Sequence, residues 1–305
     1  MLRERLAEGH IAALVSERVG GIESYVVNAL DLGTYPAEST TCRRRRLAGS
    51  WAARARRQDE DMALTITVLA DRPELAEPMW GMKNAWPEFM RHDPIGGLYY
   101  GNVETRFADF VLVGQDGDEV VAVAHSIPFV LEGGELPDNG WDAVIRSGVL
   151  ASFRDAEADA VSAIEIAVRP DRQGTGLSAQ LLVAMRDNAA RHGFAELVAP
   201  VRPNGKTDVH EPMSVHASRV RDDGLPVDPW LRVHVRAGGR IDKVAPRSMV
   251  VPGTLAEWRD WTGLPFDRTG PVEVPKALAP VWCDAEHGVA TYVEPNVWVR
   301  HATGR

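Results

Sequence analysis

The amino-acid sequence predicts an α/β fold, a twisted mixed sheet flanked by helices, with a β-hairpin appendix at its C-terminus. Two observations predict the sheet. Apolar runs at residues 110–113 and 120–124 are joined by an Asp-Gly turn, which is typical of antiparallel neighbours. Residues 161–201 then read as strand, glycine-rich turn, helix and strand, the pattern of a crossover between parallel or closely neighbouring strands. A sheet that contains both kinds of neighbour is mixed.

The composition is that of a globular protein. The 305 residues are 45% hydrophobic and 25% charged, which is enough apolar material for a large core. A net charge of -9 and a pI near 5.5 argue against a nucleic-acid or anionic-membrane partner, because phosphate binding normally needs a surplus of Lys and Arg. No run approaches ~18 apolar residues, and Cys42 and Cys283 are too few for a disulfide framework. We therefore expect a cytoplasmic protein.

The N-terminal segment, residues 1–61, differs from the rest of the chain. It contains no lysine and carries four consecutive arginines at 43–46. We predict a basic extension that is solvated or disordered, or that precedes the true start; an arm for nucleic acid or membrane is the alternative. An alternating strand begins at Met62. The predicted domain therefore covers residues 62–251, and a helix and hairpin at 252–305 are predicted to pack on it as an extension.

The elements between the first strand and the crossover are less regular. An aromatic region that contains Trp80 and Trp86 is predicted to form helices over the sheet and to shape a pocket, although core packing explains it equally simply. A loop rich in Gly, Pro and Asp follows at 132–140, and residues 141–153 have near-helical apolar spacing.

The crossover contains the clearest helix. An apolar stripe runs along residues 177–192, and Gly193 stands where a left-handed C-terminal cap is expected. Downstream, the pattern predicts a polar loop at 202–228, a short helix at 229–237 with Asp228 as its N-cap, a strand at 247–251, and a hairpin of residues 279–283 and 289–293.

The turn at residues 172–177 joins an apolar strand to an amphipathic helix. Glycines let such a turn approach a ligand closely, and converging backbone N–H groups with a helix N-terminus favour phosphate. A simple structural turn is the alternative, since Gly-x-Gly alone is a weak signal. A Walker loop is excluded by the absence of Gly-Lys-Ser/Thr, and a dinucleotide fingerprint by the absence of a third glycine.

The residues from Val168 to Gly176, Val-Arg-Pro-Asp-Arg-Gln-Gly-Thr-Gly, resemble the hallmark of the GNAT superfamily of N-acetyltransferases, Val-x-Pro-x-x-Gln/Arg-Gly-x-Gly/Ala. The resemblance implies the GNAT fold and acetyl-CoA as co-substrate. It also implies that loop amides hold the coenzyme A pyrophosphate and that the preceding strand pairs with the pantetheine arm. The residues to which it assigns coenzyme A are Ile166, Ala167, Val168, Arg172, Gln173, Gly174, Thr175, Gly176, Leu177 and Ser178.

A second match lies at residues 231–241, Leu-Arg-Val-His-Val-Arg-Ala-Gly-Gly-Arg-Ile, which resembles the family's fourth helix and following turn. The resemblance implies a general acid on this helix that protonates the departing thiolate. His234 stands where the family has tyrosine, and Gly239 where it commonly has phenylalanine. His234 is therefore our candidate acid, and a surface histidine is the alternative.

Glu165 is our candidate general base, because it lies on the strand beside the predicted pantetheine-binding stretch. Simple alternation places Glu165 on the opposite face from Ile166 and Val168, whereas the family's usual glutamate aligns with Ser162. Only a bulge would place it otherwise. A solvent-facing or ion-paired glutamate is the alternative.

Candidate acceptor-binding residues are His125 and Ser126 at the end of a strand and Asn204 in the loop after the crossover. Each has a purely structural alternative, a satisfied strand end or a solvated loop. His210, Glu211 and His216 match no zinc-ligand spacing, so we predict no metal site.

The predicted reaction is transfer of an acetyl group to an amine of a small-molecule or peptide acceptor by direct attack in a ternary complex. Orientation of two bound substrates is its main demand on the protein. The rival hypotheses are a non-catalytic acyl-CoA-binding module and an acyltransferase for a longer acyl group or an oxygen nucleophile. The C-terminal hairpin could supply the interface of a homodimer or cover the acceptor site.

Overall fold

The computed structural model describes residues 64–83 and 85–304, in which nine strands form one sheet. The strands are β1 (Thr65–Val68), β2 (Val111–Asp116), β3 (Glu119–Phe129), β4 (Ala160–Val168), β5 (Glu196–Val201), β6 (Arg240–Thr254), β7 (Gly270–Val272), β8 (Val281–Asp284) and β9 (Val289–Ala302). The α-helices are α1 (Ala76–Trp80), α2 (Gly96–Tyr100), α3 (Gly140–Arg154), α4 (Leu177–Arg191), α5 (Met213–Ser218), α6 (Pro229–Arg236) and α7 (Leu255–Thr262). The predicted N-terminal extension and the boundary at Met62 lie outside these residues.

The strand order confirms the predicted fold class. Neighbours follow the order β1-β2-β3-β4-β5-β9-β8-β7, and β6 pairs with β9 off this path. The pair β4–β5 is parallel, and the other pairs are antiparallel. None of the helices in the described ranges is long and apolar enough to cross a membrane.

Local turn chemistry fixes several element ends as predicted. The Asp-Gly turn between β2 and β3 places Gly117 at φ +60°, a conformation that glycine adopts without strain. Gly193 ends α4 at φ +92°. The side chain of Asp228 accepts hydrogen bonds from the amides of Trp230 and Leu231, both at 2.9 Å, and so caps α6.

The predicted C-terminal hairpin is present, and its second strand, β9, extends into the main sheet. β9 pairs with β5 from Val297 to Ala302 along one edge and with β6 along the other. β8 pairs with the start of β9, at residues 289–291, so the hairpin itself is present. The sequence pattern of single strands carries no information on such distant pairing. β9 is thus an interior strand of the sheet, paired along both of its edges.

Two hydrophobic cores lie on opposite faces of the sheet, because alternate side chains of a strand point in opposite directions. The first core contains Val123 and Ile127 of β3 and is covered by α2, α3 and α7. The second contains Ala122 and Ala124 and is covered by α4 and α6. We call these faces the first face and the second face.

Candidate active site

A cleft opens where β4 and β5 diverge. The two strands pair only at Val161–Leu197 and Ser162–Val198 and then separate. On the far side of β5, β9 pairs with β8 up to residue 291 and with β5 from residue 297. Glu294 and Asn296, which lie between these paired stretches, line the same cleft. The resulting cleft has a volume of about 680 Å³, and residues of both cores line it. It therefore opens toward both faces of the sheet.

The predicted phosphate-binding turn lies on the second face, at the start of α4. Gly174 and Gly176 have φ values of +76° and +87°, in the left-handed region that favours glycine. A Cβ at either position would meet no atom within 4 Å, so backbone conformation rather than crowding selects glycine there. Gly176 is the N-cap of α4, and no side chain caps the first helical turn. Such a turn presents backbone N–H groups and the positive end of a helix dipole to an anion.

Side chains of the turn hold its shape. The hydroxyl of Thr175 donates to the carbonyl of Arg172 at 2.6 Å, and the amide of Gln173 donates to the carbonyl of Val168 at 3.3 Å. Arg172 pairs with Asp116 at 2.5 Å. The predicted coenzyme A residues that line the cleft are Ile166, Ala167, Val168, Arg172, Gln173, Gly174, Gly176, Leu177 and Ser178. Thr175 does not line it and stabilises the turn instead.

Glu165 reaches the cleft from the first face. β4 has a bulge at this point: His125 pairs with Glu165 and Ser126 with Ala163, which leaves Ile164 as the extra residue. Because the bulge precedes Glu165, it leaves Glu165 on the opposite face from Ile166, as simple alternation predicts. Glu165 faces the cleft because the gap between β4 and β5 is open to both faces. Ser162, at the family's usual position, is buried and does not line the cleft.

Aromatic groups surround the Glu165 carboxylate, whose side chain is 8% exposed. The Trp86 indole N–H donates to it, and the Tyr100 hydroxyl donates to Oε2 at 2.9 Å. The Nε2 of His125 lies 3.8 Å from Oε2, but burial lowers the pKa of His125, against the opposing effect of Glu165, and so favours the neutral imidazole. Among residues 64–83 and 85–304, no lysine or arginine is ion-paired with Glu165. Its hydrogen-bond donors are thus neutral.

His234 of α6 lies in the cleft wall on the second face and is 2% exposed. Its Nδ1 is 2.9 Å from Nε2 of His301 on β9. Burial, and then His301, lowers the pKa of His234 to about 3, so its imidazole is neutral near pH 7. Gly239 belongs to the same arrangement, since a Cβ there would lie 2.5 Å from Cε1 of His301. A phenylalanine at position 239 has no room beside this histidine pair.

The sequence as a whole resembles a characterised enzyme. The arginine N-acetyltransferase avaD of Aspergillus versicolor is 31% identical over 272 residues, an alignment that covers 78% of this chain and 93% of that protein. The chain belongs to the GNAT superfamily of N-acetyltransferases. No family model matches the sequence.

One solved structure supports the GNAT fold, and a second is more distantly similar. The loading GNATL domain of CurA from Lyngbya majuscula is similar with a TM-score of 0.53 and 16% sequence identity, over 79% of this chain and 98% of that one. The GphF GNAT-like decarboxylase, solved with isobutyryl-CoA, is similar with a TM-score of 0.48 and 14% identity, over 79% and 99% of the two chains.

The three predicted acceptor residues of this N-acetyltransferase occupy different environments. Asn204 lines the cleft, and its Oδ1 accepts a hydrogen bond from the amide of Trp230 at 3.2 Å. His125 lies behind Glu165 rather than in the cleft wall. Ser126 does not line the cleft, because its hydroxyl donates to the carbonyl of Phe110 at 2.8 Å and its own carbonyl accepts from Tyr99. Ser126 is therefore a structural residue here.

Several cleft residues were not singled out as site residues from the sequence. Trp86 and Trp141 line the cleft on the first face. The signal for Trp86 was the aromatic-rich segment, and the signal for Trp141 was the helical spacing of residues 141–153. Glu294 and Asn296 of β9 line it too, and their strand had no recognisable motif. The buried carboxylate of Glu294 accepts from Arg202, Tyr292 and Asn296 at 2.9, 3.0 and 3.0 Å.

The histidines considered for a metal site lie elsewhere. His210 is 2.9 Å from Glu273 in an exposed pair. His216 lies 3.4 Å from Glu211 and 3.3 Å from Asp228. In the part of the chain that the structure describes, no group of three or more His, Cys, Asp or Glu is placed to hold a metal ion. His216 thus ties the 202–228 loop to Asp228, the cap of α6.

Proposed function

We propose that this N-acetyltransferase transfers the acetyl group of acetyl-CoA to the amine of a small molecule or peptide by direct attack in a ternary complex. One observation carries the proposal. The glycine turn and Glu165 border the same cleft from opposite faces of the sheet. A pyrophosphate on the turn and an amine beside Glu165 would therefore meet at the gap between β4 and β5, which suits a reaction that depends on orientation.

The chain's own groups supply the proton transfers. Glu165 takes a proton from the attacking nitrogen, the nitrogen bonds to the thioester carbon, and the carbon–sulfur bond breaks to release the coenzyme A thiolate. His234 borders the second side of the cleft as a neutral imidazole. When the N–H of His301 donates to Nδ1 of His234, the Nε2–H of His234 remains as a hydrogen-bond donor for the thiolate, which solvent then protonates.

Arginine is the first acceptor to test, because the relative in Aspergillus versicolor is named an arginine N-acetyltransferase. Release of free thiol from acetyl-CoA should be saturable in the acceptor. The variant Glu165→Gln should lower kcat by about 100-fold or more, the usual range for loss of a general base. Glu286→Gln, an exposed carboxylate in the β8–β9 turn, is the matched control and should leave kcat unchanged.

Two outcomes would redirect the proposal. Thermal stabilisation by coenzyme A without thiol release on any amine would identify an acyl-CoA-binding module. Turnover should also be compared across acyl chain lengths, from acetyl- to hexanoyl-CoA. Faster turnover with a longer chain would show that the enzyme transfers that longer acyl group rather than acetyl. Failure of coenzyme A to bind at all would refute the proposal.

A further inference from the structure

Two buried imidazoles meet behind the second-face wall of the cleft. His234 of α6 and His301 of β9 are 2% and 1% exposed, and Nδ1 of His234 lies 2.9 Å from Nε2 of His301. His234 lines the cleft, whereas His301 does not. His301 can therefore influence a molecule in the cleft only through His234.

The turn after α6 leaves room for this contact. The amide N–H of Gly239 donates to the carbonyl of His234 at 2.9 Å. A Cβ at Gly239 would lie 2.5 Å from Cε1 of His301 and 2.8 Å from Cγ1 of Val299. Gly239 does not have a left-handed φ, so close packing rather than backbone conformation selects glycine there. The space that a larger residue would fill is occupied by the His301 ring.

Both rings are neutral near pH 7, because burial lowers the pKa of His234 to about 3 and that of His301 to about 4. Arg186 of α4 adds to the effect on His301. Two neutral imidazoles share one hydrogen bond, so one ring donates and the other accepts. If His301 donates, the proton of His234 must be on Nε2; if His234 donates, its Nε2 has a lone pair instead.

We propose that His301 is a positioning residue, which donates its Nε2–H to Nδ1 of His234 and thereby holds the proton of His234 on Nε2. This inference rests on the proposed function, since it concerns the leaving group of the same reaction. As the carbon–sulfur bond breaks, the Nε2–H of His234 donates a hydrogen bond to the coenzyme A thiolate, and its proton stays on nitrogen. The opposite tautomer would direct a lone pair at the thiolate.

The tautomer can be measured without turnover. Two-bond correlation spectra of protein with ¹⁵N-labelled histidine distinguish protonated from unprotonated ring nitrogens. The chain has nine histidines, and the signals that disappear in His234→Gln identify His234. Wild type saturated with coenzyme A at pH 7 should show His234 protonated on Nε2 and unprotonated on Nδ1.

Glutamine and glutamate at position 301 form an isosteric pair that differs in donor capacity. The amide N–H of His301→Gln can replace the imidazole donor, so His234 keeps its proton on Nε2. The carboxylate of His301→Glu only accepts, so it takes the N–H of Nδ1. His234 then offers an Nε2–H only while it is an imidazolium. Arg186, which already acts electrostatically on His301, offsets the added negative charge.

The pH profiles of kcat should therefore differ. At pH 6.5 the kcat of His301→Glu should be within about threefold of that of His301→Gln, because His234 is then largely an imidazolium beside the carboxylate. At pH 9 it should be about 10- to 100-fold lower, because that proton has been lost and with it the donor to the thiolate. The ratio of the two kcat values cancels the titration of the acceptor amine, which both variants share.

Val299→Ala is the control for a structural defect, since Val299 is a buried residue of the second core on the same strand. It should lower the melting temperature and leave the pH profile of kcat as in wild type. Parallel pH profiles of His301→Gln and His301→Glu would overturn the inference, as would a wild-type His234 protonated on Nδ1. The tautomer is measured with coenzyme A alone, so absence of thiol release with every amine would refute the proposed function and leave this result standing.

Discussion

The glycine at the N-cap of α4 allows a direct test of the phosphate turn. Gly176 has φ +87° and lines the cleft, whereas Gly193 has φ +92° at the opposite end of the same helix and does not. A Cβ would meet no atom within 4 Å at either position. The variants Gly176→Ala and Gly193→Ala therefore place the same strain on the backbone but only one of them adds a methyl group to the predicted binding turn.

The expected magnitudes follow from the backbone conformation and from the lost contact. A left-handed φ costs an alanine about 1–2 kcal/mol, so both variants should unfold about 2–8 °C below wild type. At Gly176 the methyl group would also hold a phosphate away from the turn amides. The loss of one hydrogen bond to a charged group costs ~1.5–3 kcal/mol of binding free energy, which corresponds to about 10- to 100-fold weaker acetyl-CoA binding.

The assay combines thermal unfolding with calorimetric titration of acetyl-CoA. The reasoning holds when both variants show similar melting temperatures and only Gly176→Ala binds acetyl-CoA weakly. Equal acetyl-CoA affinities for the two variants would refute the assignment of the turn at residues 172–177. A weaker affinity in Gly193→Ala as well would show that strain in α4, rather than the turn, controls binding.

Three further predictions concern stability. Burial lowers the pKa values of His234 and His301 to about 3 and about 4, so on acidification the unfolded chain binds protons before the folded protein does. The melting temperature should therefore fall as pH drops below about 6.5. A melting temperature that stays constant down to about pH 5 would contradict this prediction. Burial, and then Asp93, raises the pKa of Asp142 to about 8. Near pH 7 the folded protein therefore holds a proton that the unfolded chain has lost, and the free energy of unfolding should fall from pH 7 to about 8.5. Asp142→Asn should flatten this alkaline decline, and an unchanged slope would count against it. Glu294→Gln leaves the charge of Arg202 uncompensated and should lower the free energy of unfolding, measured in urea, by about 3 kcal/mol. Adding Arg202→Met should recover part of this loss. A loss below about 1 kcal/mol would show that the ion pair contributes little to stability.

Elements that depend on neighbouring residues could be predicted from the sequence. The Asp-Gly turn, the cap at Asp228, the helix α4 and the glycine that ends it all follow from local backbone preferences, and the structure has each of them. The conformation of the glycine turn at residues 172–177 belongs to the same group, because it is specified by two glycines between a strand and a helix. These features need no knowledge of what lies across the sheet.

Features that depend on distant residues could not be predicted. The partner of His234 is His301, which is 67 positions away in sequence. Burial of His234, and then this contact, lowers its pKa. Alternation along β4 predicts that Glu165 lies on the opposite face of the sheet from Ile166, and the strand register agrees. Alternation cannot show that β4 and β5 separate, and this separation is what makes the side chain face the cleft.

The position of β9 connects the fold to the cleft. β5 needs a partner along the edge that faces away from β4, and β9 supplies it only from residue 297 onward. The residues just before that point, Glu294 and Asn296, are left at the gap and line the cleft. Arg202 comes directly after β5 and neutralises Glu294 there. The β9 carboxylate at the cleft therefore has a cationic partner, whereas Glu165 on β4 accepts hydrogen bonds from the neutral Trp86 and Tyr100.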